Sequence, residues 1–247
     1  MKTYDKFIKY YDEIVRWINS PIEDEVEFLV EDCIKEYNPE TKNILELACG
    51  TWVVAKELIE KKYKVIWLDI NKDMLEIAKK NIGEKNTILG DMTDFDLWKK
   101  FDAVLCNYNS ICHLLTWEEW QKCFLNSYNH LENNGLFIFD INTLFEFENI
   151  TRDFAQFYTF DKDVVCLEMF KKQWYFEWLI KIFSNKKQND YELISEVVKE
   201  NSFPISKIEK ELKNIGFDLL EKVDYHYGEV SAESERVYFI CRKKEKA

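Results

Sequence analysis

The sequence predicts an α/β protein: a doubly wound, mostly parallel seven-stranded sheet with an antiparallel last strand, N-terminal helices and an inserted antiparallel β meander. Three observations predict it. Short apolar runs alternate with amphipathic stretches between residues 43 and 141, as in a parallel sheet covered on both faces. Beyond about residue 154 the periodicity drops to two. Helical spacing then returns at 204–214 and is followed by two more apolar runs.

The elements follow in order. Phe7, Tyr10, Tyr11, Ile14 and Ile18 recur at helical spacing, as do Val26, Leu29, Val30, Cys33 and Ile34, so 4–37 reads as two helices broken at Ser20-Pro21. Residues 43–48 (NILELA) read as a buried strand, 53–62 as a helix, 64–69 (KVIWLD) as a second strand and 73–81 as a second helix. A short strand at 87–90, a strand at 101–106 (FDAVLC), a helix at 117–131 and a strand at 136–141 (LFIFDI) complete the alternation. Segments 157–171, 173–183 and 190–199 have period two, with Trp174, Phe176, Trp178, Ile180 and Ile182 on one face and Ser184–Lys187 of turn composition. Pro204 near the start and Gly216 past the end bracket a last helix. Strands at 217–227 and 236–242 then close the chain as a hairpin. The division expected is a core of 1–154 and 200–247 with a helical cap over 1–38, and an inserted lid or subdomain at 155–199.

The formal net charge is −12, with 46 acidic against 34 basic side chains, and no basic stripe tracks a phosphate backbone. Nucleic acid is therefore not an expected partner. No apolar run approaches the ~18 residues that span a bilayer. Seven cysteines without CxxC spacing, behind a charged amphipathic start, predict a reducing, cytoplasmic setting. No metal site is expected, because Cys106, Cys112 and His113 lack the spacing of a zinc set.

In an open parallel sheet, ligands bind beyond the carboxyl ends of the strands. After the first strand comes Glu46-Leu47-Ala48-Cys49-Gly50-Thr51-Trp52, whose small residues permit close backbone approach and which leads into a helix N-terminus. The second strand ends at Asp69, nineteen residues past Gly50 and followed by Ile70. A carboxylate at that offset suits the two hydroxyls of a ribose. Gly90-Asp91-Met92 follows the third strand and Asn107-Tyr108-Asn109-Ser110-Ile111-Cys112-His113 the fourth.

As a set, these motifs resemble the class I S-adenosylmethionine-dependent methyltransferases, which have a Rossmann-like fold. The likeness covers 41–142, and the closing helix and hairpin agree with that fold's antiparallel seventh strand. It implies S-adenosylmethionine as cofactor. Glu46, Ala48, Cys49, Gly50 and Trp52 would form the first motif, with Asn107 also near the cofactor. Asp69, with Ile70 beside it, would take the ribose. Met74 and Met92 would flank the adenine, and Asp91 would receive its amino group. Asn109–Leu114 is similar to the "SSIGHL" segment of sugar-amine N-methyltransferases, and Tyr4-Asp5 or Tyr11-Asp12 to their N-terminal "YD". The implied acceptor is a small molecule, with an amine as one option.

Methyl transfer from a sulfonium needs positioning more than covalent help. An amine must lose its proton before attack, and His113 is the candidate base, unless it only packs or caps the next helix. Tyr11 is the candidate to close over the ligand, against a plain core role. His130 is expected to face water or the helix dipole, and His226 to be solvated at a strand end. The aromatic insert reads as a face packed on the core, as an acceptor lid, or as the surface of a homodimer.

Two other functions stay open. One is a nicotinamide-dependent oxidoreductase, although Ala48, Gly50 and Val53 supply only one glycine of its GxGxxG. The other is a methyltransferase-like binding protein with an impaired site, because Trp52 stands where a glycine is usual.

Overall fold

The computed structural model describes residues 4–18, 22–51, 53–153, 155–187 and 190–244. Trp52 lies outside the described residues, as does the Ser20-Pro21 break. In chain order the elements open with α1 (Ile8–Ile18), α2 (Ile22–Glu27) and a π-helical stretch (Phe28–Lys35). Then come β1 (Asn43–Leu47), α3 (Val53–Glu60), β2 (Lys64–Asp69), α4 (Lys72–Ile82), β3 (Thr87–Leu89), β4 (Phe101–Cys106), α5 (Trp117–His130) and β5 (Leu131–Asn142). A helix not foreseen from the sequence, α6 (Leu144–Asp153), leads into β6 (Ala155–Phe160), β7 (Asp163–Lys171), β8 (Phe176–Lys187) and β9 (Asp190–Glu200). The chain closes with α7 (Ile205–Ile215), β10 (Phe217–Asp224) and β11 (Arg236–Lys243).

Seven strands form one sheet in the order β10-β11-β5-β4-β1-β2-β3. The pairs β1/β2, β1/β4, β2/β3 and β4/β5 are parallel, and β11 is antiparallel to both β5 and β10. The expected architecture is therefore the observed one. Alternate residues of each strand serve opposite faces. Leu45, Leu47, Val104, Phe137 and Phe139 pack with Trp120 and Phe124 of α5 and Leu212 of α7. Ile44, Val65, Trp67, Leu105 and Ile138 pack with Val26, Leu29 and Ile34 of the N-terminal helical segment and Leu58 of α3. A one-residue register slip would exchange the two sets, so the central strands are held in place by both faces at once.

The strands β6-β7-β8-β9 form a separate antiparallel sheet. Phe7, Tyr10 and Ile14 of the N-terminal segment bury against its Val165, Leu167, Ile180, Ile182 and Val198. Polar bonds fasten the same contact. Glu196 accepts the backbone N–H groups of Lys6 and Phe7 at 3.1 Å each, and the Tyr10 hydroxyl donates to Asp163 at 2.6 Å.

Several expectations are corrected. Segment 157–171 is a hairpin, turning at Asp161 with φ 52°. Ser184–Lys187 belongs to β8 and is no turn, since Ser184 pairs with Glu192, Asn185 pairs with Tyr191, and the Asn185 N–H donates to Asp163 at 2.8 Å. Backbone pairing here overrides turn-like composition. Trp174 lies before β8 and is 54% exposed, so it does not share the buried face. His130 is buried rather than solvated: its Nδ1 faces the Asn126 carbonyl at 2.9 Å and its Nε2 accepts the Leu97 N–H at 3.2 Å. Among the described residues no helix is long and apolar enough to cross a membrane.

The inner and outer faces of the small sheet make a direct comparison. Leu167→Ala, in the buried cluster, should cost about 2–5 kcal/mol in denaturant unfolding. Leu193→Ala, at a position 56% exposed on the opposite face, should change stability by no more than about 0.5 kcal/mol.

Candidate active site

The carboxyl ends of β1, β2 and β4 converge where β1 and β4, neighbours in the sheet, send their chains apart. After β1 the backbone turns left-handed at Ala48 (φ 52°) and Gly50 (φ 60°). A Cβ placed on Gly50 would sit 3.9 Å from the Tyr11 ring, an ordinary contact, so conformation rather than space selects glycine there. Asp69, buried at the end of β2, fastens this turn. Its Oδ2 accepts the Gly50 N–H at 2.8 Å and its Oδ1 the Asn71 N–H at 2.7 Å. Burial raises the Asp69 pKa despite these two bonds, which favour the carboxylate. Asn71 then caps α4, accepting from the Asp73 and Met74 N–H groups at 2.9 and 3.2 Å. The sequence reading missed Asn71, although an Asn directly before an amphipathic run is an N-cap signal.

A cavity of about 190 Å³ lies over these strand ends. Ala48, Gly50 and Asp69 form its floor, Met74 and Met92 its apolar wall, and Ile70, 45% exposed, part of its rim. Asp91 borders it with one oxygen, Oδ1, turned back onto the N–H and hydroxyl of Thr93 at 2.8 Å each. A smaller adjoining cavity of about 50 Å³ takes in Glu46, Cys49 and Asn107. Among the described residues, buried polar atoms here lack hydrogen-bond partners: Glu46 Oε2 and both amide atoms of Asn107. Burial, with Asp69 nearby, pushes the Glu46 carboxyl up to about 8. Every described residue expected around the cofactor lines one of these two cavities.

The N-terminal segment covers them. The Thr51 hydroxyl bonds Asp12, the Asn71 amide reaches Asp5 at 3.4 Å, and Tyr11 borders both cavities. Burial raises the pKa of the Tyr11 hydroxyl, and the carboxylates of Asp69, Asp12 and Glu200 add to the shift, so it stays a neutral phenol.

A third cavity, of about 290 Å³, adjoins the first beneath the small sheet. Tyr4, Tyr11 and His113 line both. His113 ends the 3₁₀ turn Ser110–His113, which follows left-handed Tyr108 and Asn109. Its Nε2 lies 3.4 Å from the Tyr4 hydroxyl and its Nδ1 3.7 Å from Glu200 Oε1. Glu200, at the end of β9, is buried and accepts the Trp178 indole N–H at 2.6 Å. Its pKa is raised by burial and drawn back by His113. No local signal marks Glu200 in the sequence; only the folding of the inserted sheet over the core brings it to His113. His226 is exposed and borders none of these cavities.

Behind the third cavity lies a buried ion cluster. Arg236 donates through Nε to Asp140 at 2.6 Å and through Nη2 to Glu25 at 2.9 Å. The same Asp140 oxygen accepts the Asn109 N–H at 2.8 Å. Sequence reading did not single out Arg236, which opens β11 just before the run Val237–Cys241.

Comparison with known proteins agrees with this geometry. Residues 44–135 match the model of a methyltransferase domain family. The methyltransferase-named protein YqeM of Bacillus subtilis (strain 168) is 26% identical over 259 residues, covering 97% of this chain and 94% of its own. A Streptomyces venezuelae dTDP-3-amino-3,4,6-trideoxy-alpha-D-glucopyranose N,N-dimethyltransferase is 30% identical over 109 residues, 44% of this chain and 46% of that protein. The crystal structure of an S-adenosylmethionine-dependent methyltransferase from Clostridium acetobutylicum ATCC 824 superposes with a TM-score of 0.86 at 25% identity, covering 98% and 99% of the two chains. The nicotinamide reading falls away, and the impaired-site reading is not favoured. Strand order, the Gly50–Asp69 turn, the methyltransferase domain match and these relatives together support a class I S-adenosylmethionine-dependent methyltransferase.

Proposed function

We propose that the protein methylates an amine of a small molecule, with the cofactor over the ends of β1 and β2 and the acceptor in the cavity beneath the small sheet. The observation that carries this reading is the common wall of the two cavities, where Tyr4, Tyr11 and His113 face both. S-adenosylmethionine supplies an electrophilic methyl group on a sulfonium. The chain's residues suit it. The unpaired Glu46 oxygen and Asn107 amide offer partners for an ammonium and a carboxylate, beside Ala48, Cys49 and Gly50. Asp69 has lone pairs left for ribose hydroxyls, Asp91 for an adenine amino group, and Met74, Met92 and Ile70 flank the ring.

For an amine acceptor, His113 is the base. Glu200 stands by to stabilise the imidazolium once a proton has arrived, and Tyr4 orients the ring. Tyr11 excludes water from the transfer path. The residues of the small sheet act as a lid, and N-methylation is the chemistry that the sugar-amine relative's activity suggests. A second copy docking on the exposed face of that sheet is a further part of this reading.

Asp69→Ala should weaken S-adenosylhomocysteine binding by about 1.5–3 kcal/mol in calorimetric titration; an unchanged dissociation constant refutes the ribose placement. His113→Ala should lower kcat/KM by about 10²–10⁴-fold and abolish the acidic limb of the pH–rate profile, and a variant with an intact limb excludes His113 as base. Glu46 makes a third prediction. Folded, it keeps a proton up to about pH 8, whereas unfolded it releases that proton in the ordinary carboxylate range. Stability of the ligand-free protein should therefore fall as pH rises through that window, and cofactor affinity should rise as Glu46 ionises. Glu46→Gln should flatten both trends, measured by thermal melts and titration at a series of pH values.

A further inference from the structure

The acceptor cavity has a polar wall that the proposed chemistry does not use. Arg236 lines it, is almost fully buried, and has spent two of its three nitrogens on Asp140 and Glu25. Its Nη1 has no hydrogen-bond partner among the described residues. Asn109 lines the same cavity, and its Oδ1 is likewise buried and unpartnered. The Arg236 side chain and the Asn109 backbone share one anchor atom. Asp140 Oδ2 accepts the Arg236 Nε–H at 2.6 Å and the Asn109 backbone N–H at 2.8 Å. Tyr108, Tyr225 and Tyr238 surround the guanidinium, with ring centroids 5.3, 5.2 and 4.9 Å from Cζ, so it has little freedom to turn elsewhere.

A buried donor and a buried acceptor, each without a partner, leave a cost that a matching ligand group removes. A hydroxyl both accepts and donates, so it matches a donor and an acceptor on the same wall. A phosphate or carboxylate only accepts. It would set an anionic oxygen against Asn109 Oδ1, in a cavity also bordered by Glu146, Glu200 and Glu235. The guanidinium offers little relief, because Asp140 and Glu25 already offset its charge. Glu146 shows the acidity of this environment: burial, with Glu235 nearby, pushes its carboxyl up to about 7. Among the described residues lining the cavity, Arg236 is the one side chain of fixed positive charge.

We propose that this wall reads a hydroxyl of the methyl acceptor, so that the acceptor is an amino alcohol without phosphate on that hydroxyl, with Arg236 and Asn109 as specificity-determining residues. The inference rests on the amine-methyltransferase reading and adds the group next to the amine.

The test uses the full chain saturated with S-adenosylhomocysteine and three probes: trans-2-aminocyclohexanol, cyclohexylamine and the phosphate monoester of the amino alcohol. Binding is read by calorimetry and, with the methyl donor, by kcat/KM. The amino alcohol should bind at least about ten-fold more tightly than cyclohexylamine, and more tightly than its phosphate ester. Asn109→Gly suits the local φ of 55° and removes Oδ1. It should reduce the alcohol-to-amine ratio to below about three-fold while leaving S-adenosylhomocysteine affinity unchanged. Arg236→Lys, which keeps a charge beside Asp140 but lacks the third donor, should do the same; Asn109→Gly carries the test should the lysine variant fail to fold. A wild-type ratio near one, equal or tighter binding of the phosphate ester, no binding of any probe, or a ratio retained in Asn109→Gly overturns the inference. Failure of S-adenosylhomocysteine to bind overturns instead the cofactor placement beneath it.

Discussion

The ion cluster of Arg236, Asp140 and Glu25 is the interaction on which the rest of the site depends. Its three members come from β11, β5 and α2, which are far apart in the chain and serve different parts of the molecule. Removing them from water is expensive, and the arrangement is tolerable only when all are paired. Loss of one partner strands a buried charge, at a cost of about 3–5 kcal/mol. The cluster therefore holds in a single arrangement the antiparallel strand, the entry to the N-terminal cap and, through Asp140 and the Asn109 N–H, the loop that carries His113.

A second, lighter set of contacts closes the site from the other side. The N-terminal segment is packed on the small sheet through Phe7, Tyr10 and Ile14, while its Asp5, Asp12 and Tyr4 reach Asn71, Thr51 and His113 beside the strand ends of the large sheet. Apolar burial thus favours moving with the small sheet, while single hydrogen bonds hold the segment to the cofactor-side turn. An interface of that kind opens at lower cost than a packed core. Both cavities border it through Tyr4 and Tyr11.

Electrostatics distinguish the two larger cavities. At the strand ends, Asp69 is surrounded by backbone donors and Glu46 Oε2 has no hydrogen-bond partner among the described residues, a pattern matched to hydroxyls and to a cation. Beneath the small sheet, carboxylates border the cavity, and the one guanidinium among its described lining residues is largely neutralised by its own partners. Between them stand two phenols and an imidazole, groups that exclude water and, in the imidazole, can take a proton.

The architecture was legible in the sequence because local periodicity reports which faces are buried. Strands at Lys64–Asp69 and Phe101–Cys106 have the same bounds in the structure as in the reading. The cofactor-side positions were legible for a related reason: Gly50, Asp69 and Asp91 follow strand ends, and in a parallel sheet strand ends share one edge. Where composition and pairing disagreed, pairing won, as at Ser184–Lys187, because cross-strand bonds are non-local. The burial of His130 was not foreseen because it depends on Leu97, thirty-three residues away, although its Nδ1 does face the Asn126 carbonyl at the end of α5, as the helix-dipole alternative expected. Glu200, Glu25 and Arg236 had no sequence signal at all. Each is a charged residue in an ordinary strand or helix, and its role arises only when distant segments exclude water around it. The sequence by itself thus determined the class of the sheet and the edge where the residues that follow its strands gather. Only the tertiary structure decided the strand order and the cavity beneath the small sheet, because burial and pairing of charges are properties of the assembled fold and leave no local pattern in the chain.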